Sequence, residues 1–119
     1  MTAEKEFVRK TVGLIRDRKG EDVAVIDLSD VSIPTSYFVI AGADNPVHAK
    51  ALINVLRERL PVKPSRSEGL SERKWVVLDY GDVIVHIIEK DAREFYGIES
   101  LWADHLVDVD SLVSETEAR

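Results

Sequence analysis

A mixed β-sheet of four or five strands flanked by helices is the α/β fold class that this chain of 119 residues predicts. Three observations carry the prediction. The stretches Asp22–Leu28, Ser36–Gly42 and Trp75–Glu89 are rich in β-branched residues and nearly continuously apolar, as in strands covered by helices on both faces. Two longer stretches carry apolar residues at helical spacing. The order helix, strand, strand, helix, hairpin does not alternate strictly, which favours a mixed sheet over a parallel one.

The first helix is predicted over residues 3–19, where Phe7, Val8, Thr11, Val12 and Ile15 share a face. Glu4 and Glu6 begin it, Arg16, Arg18 and Lys19 end it, and Gly20 stops it. Two strands follow, separated by the loop Ser29–Pro34. Asn45 then caps a second helix with Pro46 at its first position, and Pro61 marks the end. Residues 62–74 are polar and irregular, with room for a short edge strand. After the hairpin, Asp91 and Glu94 have the spacing of a capping box, and Gly97 closes that turn. Residues 98–102 predict a final helical turn or an extended stretch. A single domain over residues 1–110 is expected, with 111–119 as a flexible tail because its composition turns to Ser, Thr and Glu.

Composition narrows the function. There are no cysteines, hence no disulfide framework or thiolate chemistry. No apolar run approaches the roughly 20 residues of a spanning helix, and the start lacks the pattern of a secretory signal. A soluble cytoplasmic protein without membrane contact is the default expectation. Net charge is −6, from 22 acids against 16 bases. The basic clusters Arg16–Lys19 and Arg57–Arg59 are both interrupted by acids, which disfavours direct DNA or RNA binding and favours a basic protein partner.

The hairpin tip Asp79-Tyr80-Gly81-Asp82 is the most distinctive local feature. A two-residue turn at Tyr80-Gly81 would force positive φ on a tyrosine, so the expectation is a three-residue loop with Gly81 left-handed. Leu78 would then pair with Asp82, Trp75 would face Val85, and Tyr80 would project from the turn. Ordinary turn solubility accounts for these acids as readily as docking does. A metal loop needs more convergent carboxylates than Asp79 and Asp82 supply, and His48, His86 and His105 are scattered. His86 shares a strand face with Ile84 and Ile88 and reads as a half-buried structural histidine, with a catalytic base as the minority reading. His48, near the start of the second helix, reads as a loop cap, with substrate contact as the alternative. No Gly-x-Ser-x-Gly elbow, glycine-rich phosphate loop or Ser-x-x-Lys is present. No catalytic residue, metal or cofactor is expected.

Taken in order, Asp27-Leu-Ser29, Tyr37-Phe-Val-Ile-Ala41, His48-x-x-Ala51, Glu68-Gly69, Trp75 through Asp82, Val85-His86, Arg93 through Tyr96 and Leu101-Trp102 form a specific series. From Phe7 to Val109 the chain resembles the ribosomal silencing factor family, RsfS or Iojap. The resemblance implies a fold like a minimal nucleotidyltransferase without its catalysis. Asp27 and Asp30 have the wrong spacing, and Asp44-Asn45-Pro46 stands where the active enzymes have Gly-Ser. It also implies binding to protein fourteen of the large ribosomal subunit, which blocks joining of the small subunit and lowers translation when nutrients are scarce. One departure is Val47, where many members have arginine. With that resemblance, Trp75, Asp79, Tyr80, Gly81 and Asp82 are the expected partner-binding residues, and His48, Glu68, His86, Tyr96 and Trp102 are secondary candidates. A phosphoryl- or nucleotidyl-transfer enzyme using Asp27 and Asp30 is the alternative, and a homodimer of the free protein is left open.

Overall fold

In a computed structural model, residues 3–117 are described, apart from the side chains of 94–96, 98 and 114–117. Helix α1 (Ala3–Asp17) buries Val8, Val12 and Ile15. It ends in a Schellman pattern: Lys19 N–H donates to the Arg16 carbonyl and Gly20 N–H to the Ile15 carbonyl. The left-handed residue is Lys19, at φ 62°, rather than the expected Gly20. Gly20 is required for closeness, since a Cβ there would lie 2.2 Å from Ile15 Cγ2.

Strands β1 (Glu21–Asp27) and β2 (Tyr37–Ala43) pair antiparallel. Helix α2 (Pro46–Arg59) starts as expected, with the Asn45 side chain accepting from His48 N–H. The edge strand β3 (Arg66–Glu68) leads to the hairpin β4 (Trp75–Asp79) and β5 (Val83–Glu89). Helices α3 (Lys90–Tyr96) and α4 (Ile98–Leu101), a 3-10 turn (Ala103–His105), strand β6 (Leu106–Val107) and helix α5 (Val109–Glu117) complete the chain. The sheet runs β3-β4-β5-β2-β1-β6, with β2 and β5 parallel and the other neighbours antiparallel. The mixed sheet is as expected, but it has six strands rather than four or five. The addition is β6, whose two residues close the β1 edge; a pair so short leaves no pattern in sequence.

Helices α1, α2 and α5 cover one face, where Val12, Leu52, Leu56, Val76, Val85 and Ile87 are buried together. The other face lacks a long helix, contrary to expectation. Ala24, Ile26, Ile40 and Ile88 lie there under Val31, Ala92 and Trp102, with Phe38 and Trp75 half-buried beside them.

Two local expectations fail at the C-terminal end. Asp91 does not cap α3, because β5 runs directly into the helix and the cap position falls to Glu89, which makes no side-chain bond. The Glu94 side chain lies outside the described residues. Residues 109–117 form α5, which runs into the stretch 111–119 where a tail was expected. The Asp108 carboxylate accepts from Ser111 N–H and Oγ, and Leu112 is buried against the core that contains α1. Arg93 ties this end to the sheet: it ion-pairs with Glu99 and donates to the carbonyls of Glu21 and Asp22. The radius of gyration is 13.3 Å, near the ~14 Å that chain length implies.

Candidate functional site

The hairpin register decides where each tip residue points. Trp75 pairs with Ile88 and Asp79 with Ile84, so the turn holds only Gly81 and Asp82 between Tyr80 and Val83. Gly81 takes φ 89°, and Tyr80 N–H donates to the Val83 carbonyl at 2.9 Å. The expected register, with Leu78 opposite Asp82 and Trp75 opposite Val85, is therefore wrong. Its premise was that the turn had to include tyrosine; moving it one residue on puts the positive φ on glycine alone.

Tyr80 consequently falls on the helix-covered face. Its ring packs on Phe7 of α1 with centroids 5.1 Å apart, so it does not project from the tip. Its hydroxyl is buried without a hydrogen-bond partner. Burial raises its pKa, partly opposed by the nearby Arg57 guanidinium.

Backbone bonds fix the tip on two sides. The Asp82 carbonyl accepts from Thr35 Oγ1 at 2.9 Å, Ser36 N–H at 2.8 Å and Tyr37 N–H at 3.0 Å. The Asp79 carbonyl accepts from Ser65 N–H and Oγ. The Asp79 carboxylate accepts from Gly81 N–H at 2.8 Å, as a turn acid does, whereas Asp82 is exposed.

Trp75 is not beside the tip. It lies at the other end of β4, four steps of ~3.4 Å from Asp79, on the same face as Val77 and Asp79. Its indole N–H donates to His86 Nδ1 at 3.1 Å. His86 is thus the Nε2–H tautomer, and this second nitrogen is buried without a partner. Desolvation lowers its pKa to about 4, so the ring is neutral at physiological pH. It is a structural histidine, as its strand position implied. Phe38 meets His86 edge-on at 4.8 Å, Trp102 meets Phe38 at 6.3 Å, and His105 meets Trp102 at 5.8 Å. These rings form a row across the face without a long helix. The sequence separates Phe38 from Trp75, and the pairing of β2 with β5 and of β5 with β4 brings them onto one face.

The remaining candidates are distributed. His48 Nδ1 accepts from Asp44 N–H at 3.0 Å, while Nε2 reaches the Arg18 carbonyl at 2.9 Å. That ring latches the start of α2 to the end of α1, far in chain position from the hairpin; both nitrogens are occupied. Glu68 is exposed on β3, opposite Val77. Its neighbour Gly69 has a steric reason: at φ 78°, a Cβ would come within 2.1 Å of the Trp75 carbonyl oxygen. The Tyr96 side chain lies outside the described residues. Asp27 is bound by its own turn, accepting from Ser29 N–H and Oγ, and Asp30 lies 3.7 Å from His105. Among the described residues no group of three or more His, Cys, Asp or Glu is placed to hold a metal. No described helix is long and apolar enough to cross a membrane.

Sequence reasoning missed Phe7 and Thr35. Phe7 was readable as core but not as the partner of Tyr80, and Thr35 gave no signal before its bond to Asp82 was seen.

The comparisons with known proteins agree with one another. The family model described as ribosomal silencing factor during starvation matches residues 2–119. The ribosomal silencing factor RsfS of Bacillus subtilis is 29% identical over 111 residues, covering 90% of this chain and 94% of its own. The mouse mitochondrial assembly of ribosomal large subunit protein 1 is 29% identical over 97 residues, covering 76% of this chain and 42% of its own. A crystal structure of protein CV0518 from Chromobacterium violaceum superposes with a TM-score of 0.78 at 30% identity, covering 87% of this chain and 88% of its own. With a family match along nearly its whole length and the same fold in a solved structure, this chain belongs to the ribosomal silencing factors.

Proposed function

We propose that this protein docks on the large ribosomal subunit, chiefly on its protein fourteen, and sterically prevents the small subunit from joining. The observation that carries the reading is the tip itself: an acidic turn, Asp79 and Asp82, clamped at the Asp82 carbonyl in a chain of net charge −6. A clamped turn loses little entropy on docking, and its charge suits the basic proteins that face rRNA. The strip Trp75, Val77 and Asp79 extends the same surface along β4, with an aromatic residue of the kind enriched at binding hot spots. The mouse relative, named for the assembly of the mitochondrial ribosomal large subunit, supports the choice of subunit.

Silencing on this reading requires occupancy alone, in the cytoplasm, with no turnover and no cofactor. The fold serves as a minimal nucleotidyltransferase-like scaffold whose Asp27 and Asp30 do no chemistry. Co-sedimentation with separated subunits tests the reading: binding to large subunits is expected, with joining reduced in proportion to occupancy and unaffected by ATP. Binding confined to small subunits, or inhibition that requires ATP, would overturn it.

A further inference from the structure

Beneath the hairpin tip a cavity of about 180 Å³ opens between the first turn of α1 and the start of β5. Its apolar walls are Phe7, Val62, Tyr80 and Val83, and the acidic residues Glu4 and Asp82 belong to the same lining. It exists because Tyr80 turns inward onto Phe7, while the loop after α2 leaves Val62 52% exposed instead of folding over the gap.

We propose that this cavity receives one aliphatic side chain, of leucine or methionine size, from a basic segment of the protein partner. The inference rests on the docking reading above and adds the anchor that the acidic tip lacks. Volume selects the occupant: small-molecule sites start near ~300 Å³, whereas an apolar cavity of ~150 Å³ accommodates a benzene-sized group. Chemistry selects its surroundings. Two carboxylates beside an apolar hole favour lysine or arginine next to the inserted residue, and repel an acidic segment. An apolar anchor seated in a pocket, ringed by groups that exclude water, is the arrangement that dominates binding energy at interfaces.

Filling the cavity from either wall tests the proposal. Val62 and Ala3 are both exposed, so Val62→Trp and Ala3→Phe place bulk in the opening without entering the core. Each is expected to weaken binding to isolated large subunits by about tenfold or more, with thermal unfolding unchanged. Asn54→Trp, which adds the same bulk at an exposed position of α2 outside the cavity lining, is expected to bind within about threefold of wild type. If one filler unfolds the protein, the other decides. Wild-type affinity in a folded filler variant would overturn the cavity proposal while leaving the docking reading standing. So would a loss in Asn54→Trp as large as in the fillers. Failure of the wild-type protein itself to bind large subunits would remove the docking reading, and this inference with it.

Discussion

On the face covered by α1, α2 and α5 the sheet presents Val76, Leu78, Val85 and Ile87, all fully buried. On the opposite face Trp75, Phe38 and Ile84 are only half-covered, and the enclosed ring among them, His86, is polar. The first face is held by apolar volume. The second buries a smaller aliphatic layer, Ile26, Ile40 and Ile88, covered by rings meeting edge to face and by one indole-to-imidazole hydrogen bond, leaving surface free for contact. The same two hairpin strands serve both, because alternate residues point to opposite sides.

The largest expected effect separates the faces by packing. Leu56→Ala, at a fully buried position on α2, should cost roughly 3 kcal/mol in urea unfolding, from lost transfer energy plus a residual cavity. Val77→Ala, half-buried on the other face, should cost less than about 1 kcal/mol. Equal losses would mean that the second face is packed as tightly as the first.

Next in size is the acid response of the polar face. His86 has its pKa lowered from 6.5 to about 4, so between those values the unfolded chain binds a proton that the folded chain refuses. Stability is therefore fully present above pH 6.5 and falls as pH drops through about 4. A gap of this size amounts to about 3 kcal/mol. His86→Phe, which cannot titrate, should flatten the unfolding profile across that window, even if losing the Trp75 bond lowers its plateau. A wild-type-like slope in the variant would assign the acid response to other groups.

Much of this was legible in the sequence, and the boundary between legible and illegible is physical. Asn45-Pro46 announced α2 because a cap acts within three residues, and Gly97 announced the end of α3 for the same reason. The hairpin was visible as two apolar runs, but its register was not, since one left-handed position decides it and Gly81 could serve either turn. Helix α5 was missed because its apolar residues are few; Leu112 is buried by α1, a neighbour nearly a hundred positions away in the chain. Of the candidate site, the acids were found where they lie. Tyr80 was given the wrong face because the register was wrong, and Trp75 was placed too near the tip for the same reason.

A smaller effect concerns what the tip contributes to docking. Reversing both charges, Asp79→Lys with Asp82→Lys, should weaken binding to large subunits by about 2 kcal/mol or more, through like charges facing a basic partner. The effect should shrink as salt rises, and for the wild type salt should act mainly on the association rate. Unchanged affinity in the folded double variant would take the tip out of the interface and leave the Trp75 strip as the remaining candidate.

The smallest expected effect sharpens the comparison at Tyr80, the tip residue that belongs to the helix-covered face. Its ring is packed on Phe7, but its hydroxyl is buried with no partner. Leaving a hydroxyl unpaired costs free energy that its removal restores, so Tyr80→Phe should stabilise the protein by up to about 1 kcal/mol. Tyr80→Ala should do the opposite: it removes the ring contact and should destabilise by about 2 kcal/mol, so any loss of binding in that variant would be mixed with loss of fold. The phenylalanine variant separates the two. If Tyr80 serves docking only by shaping the floor of the cavity, Tyr80→Phe should bind large subunits as the wild type does while melting slightly higher. Weaker binding in a variant of unchanged or greater stability would mean instead that the hydroxyl turns outward to a partner group on docking, and that the tip is remodelled there rather than used as built.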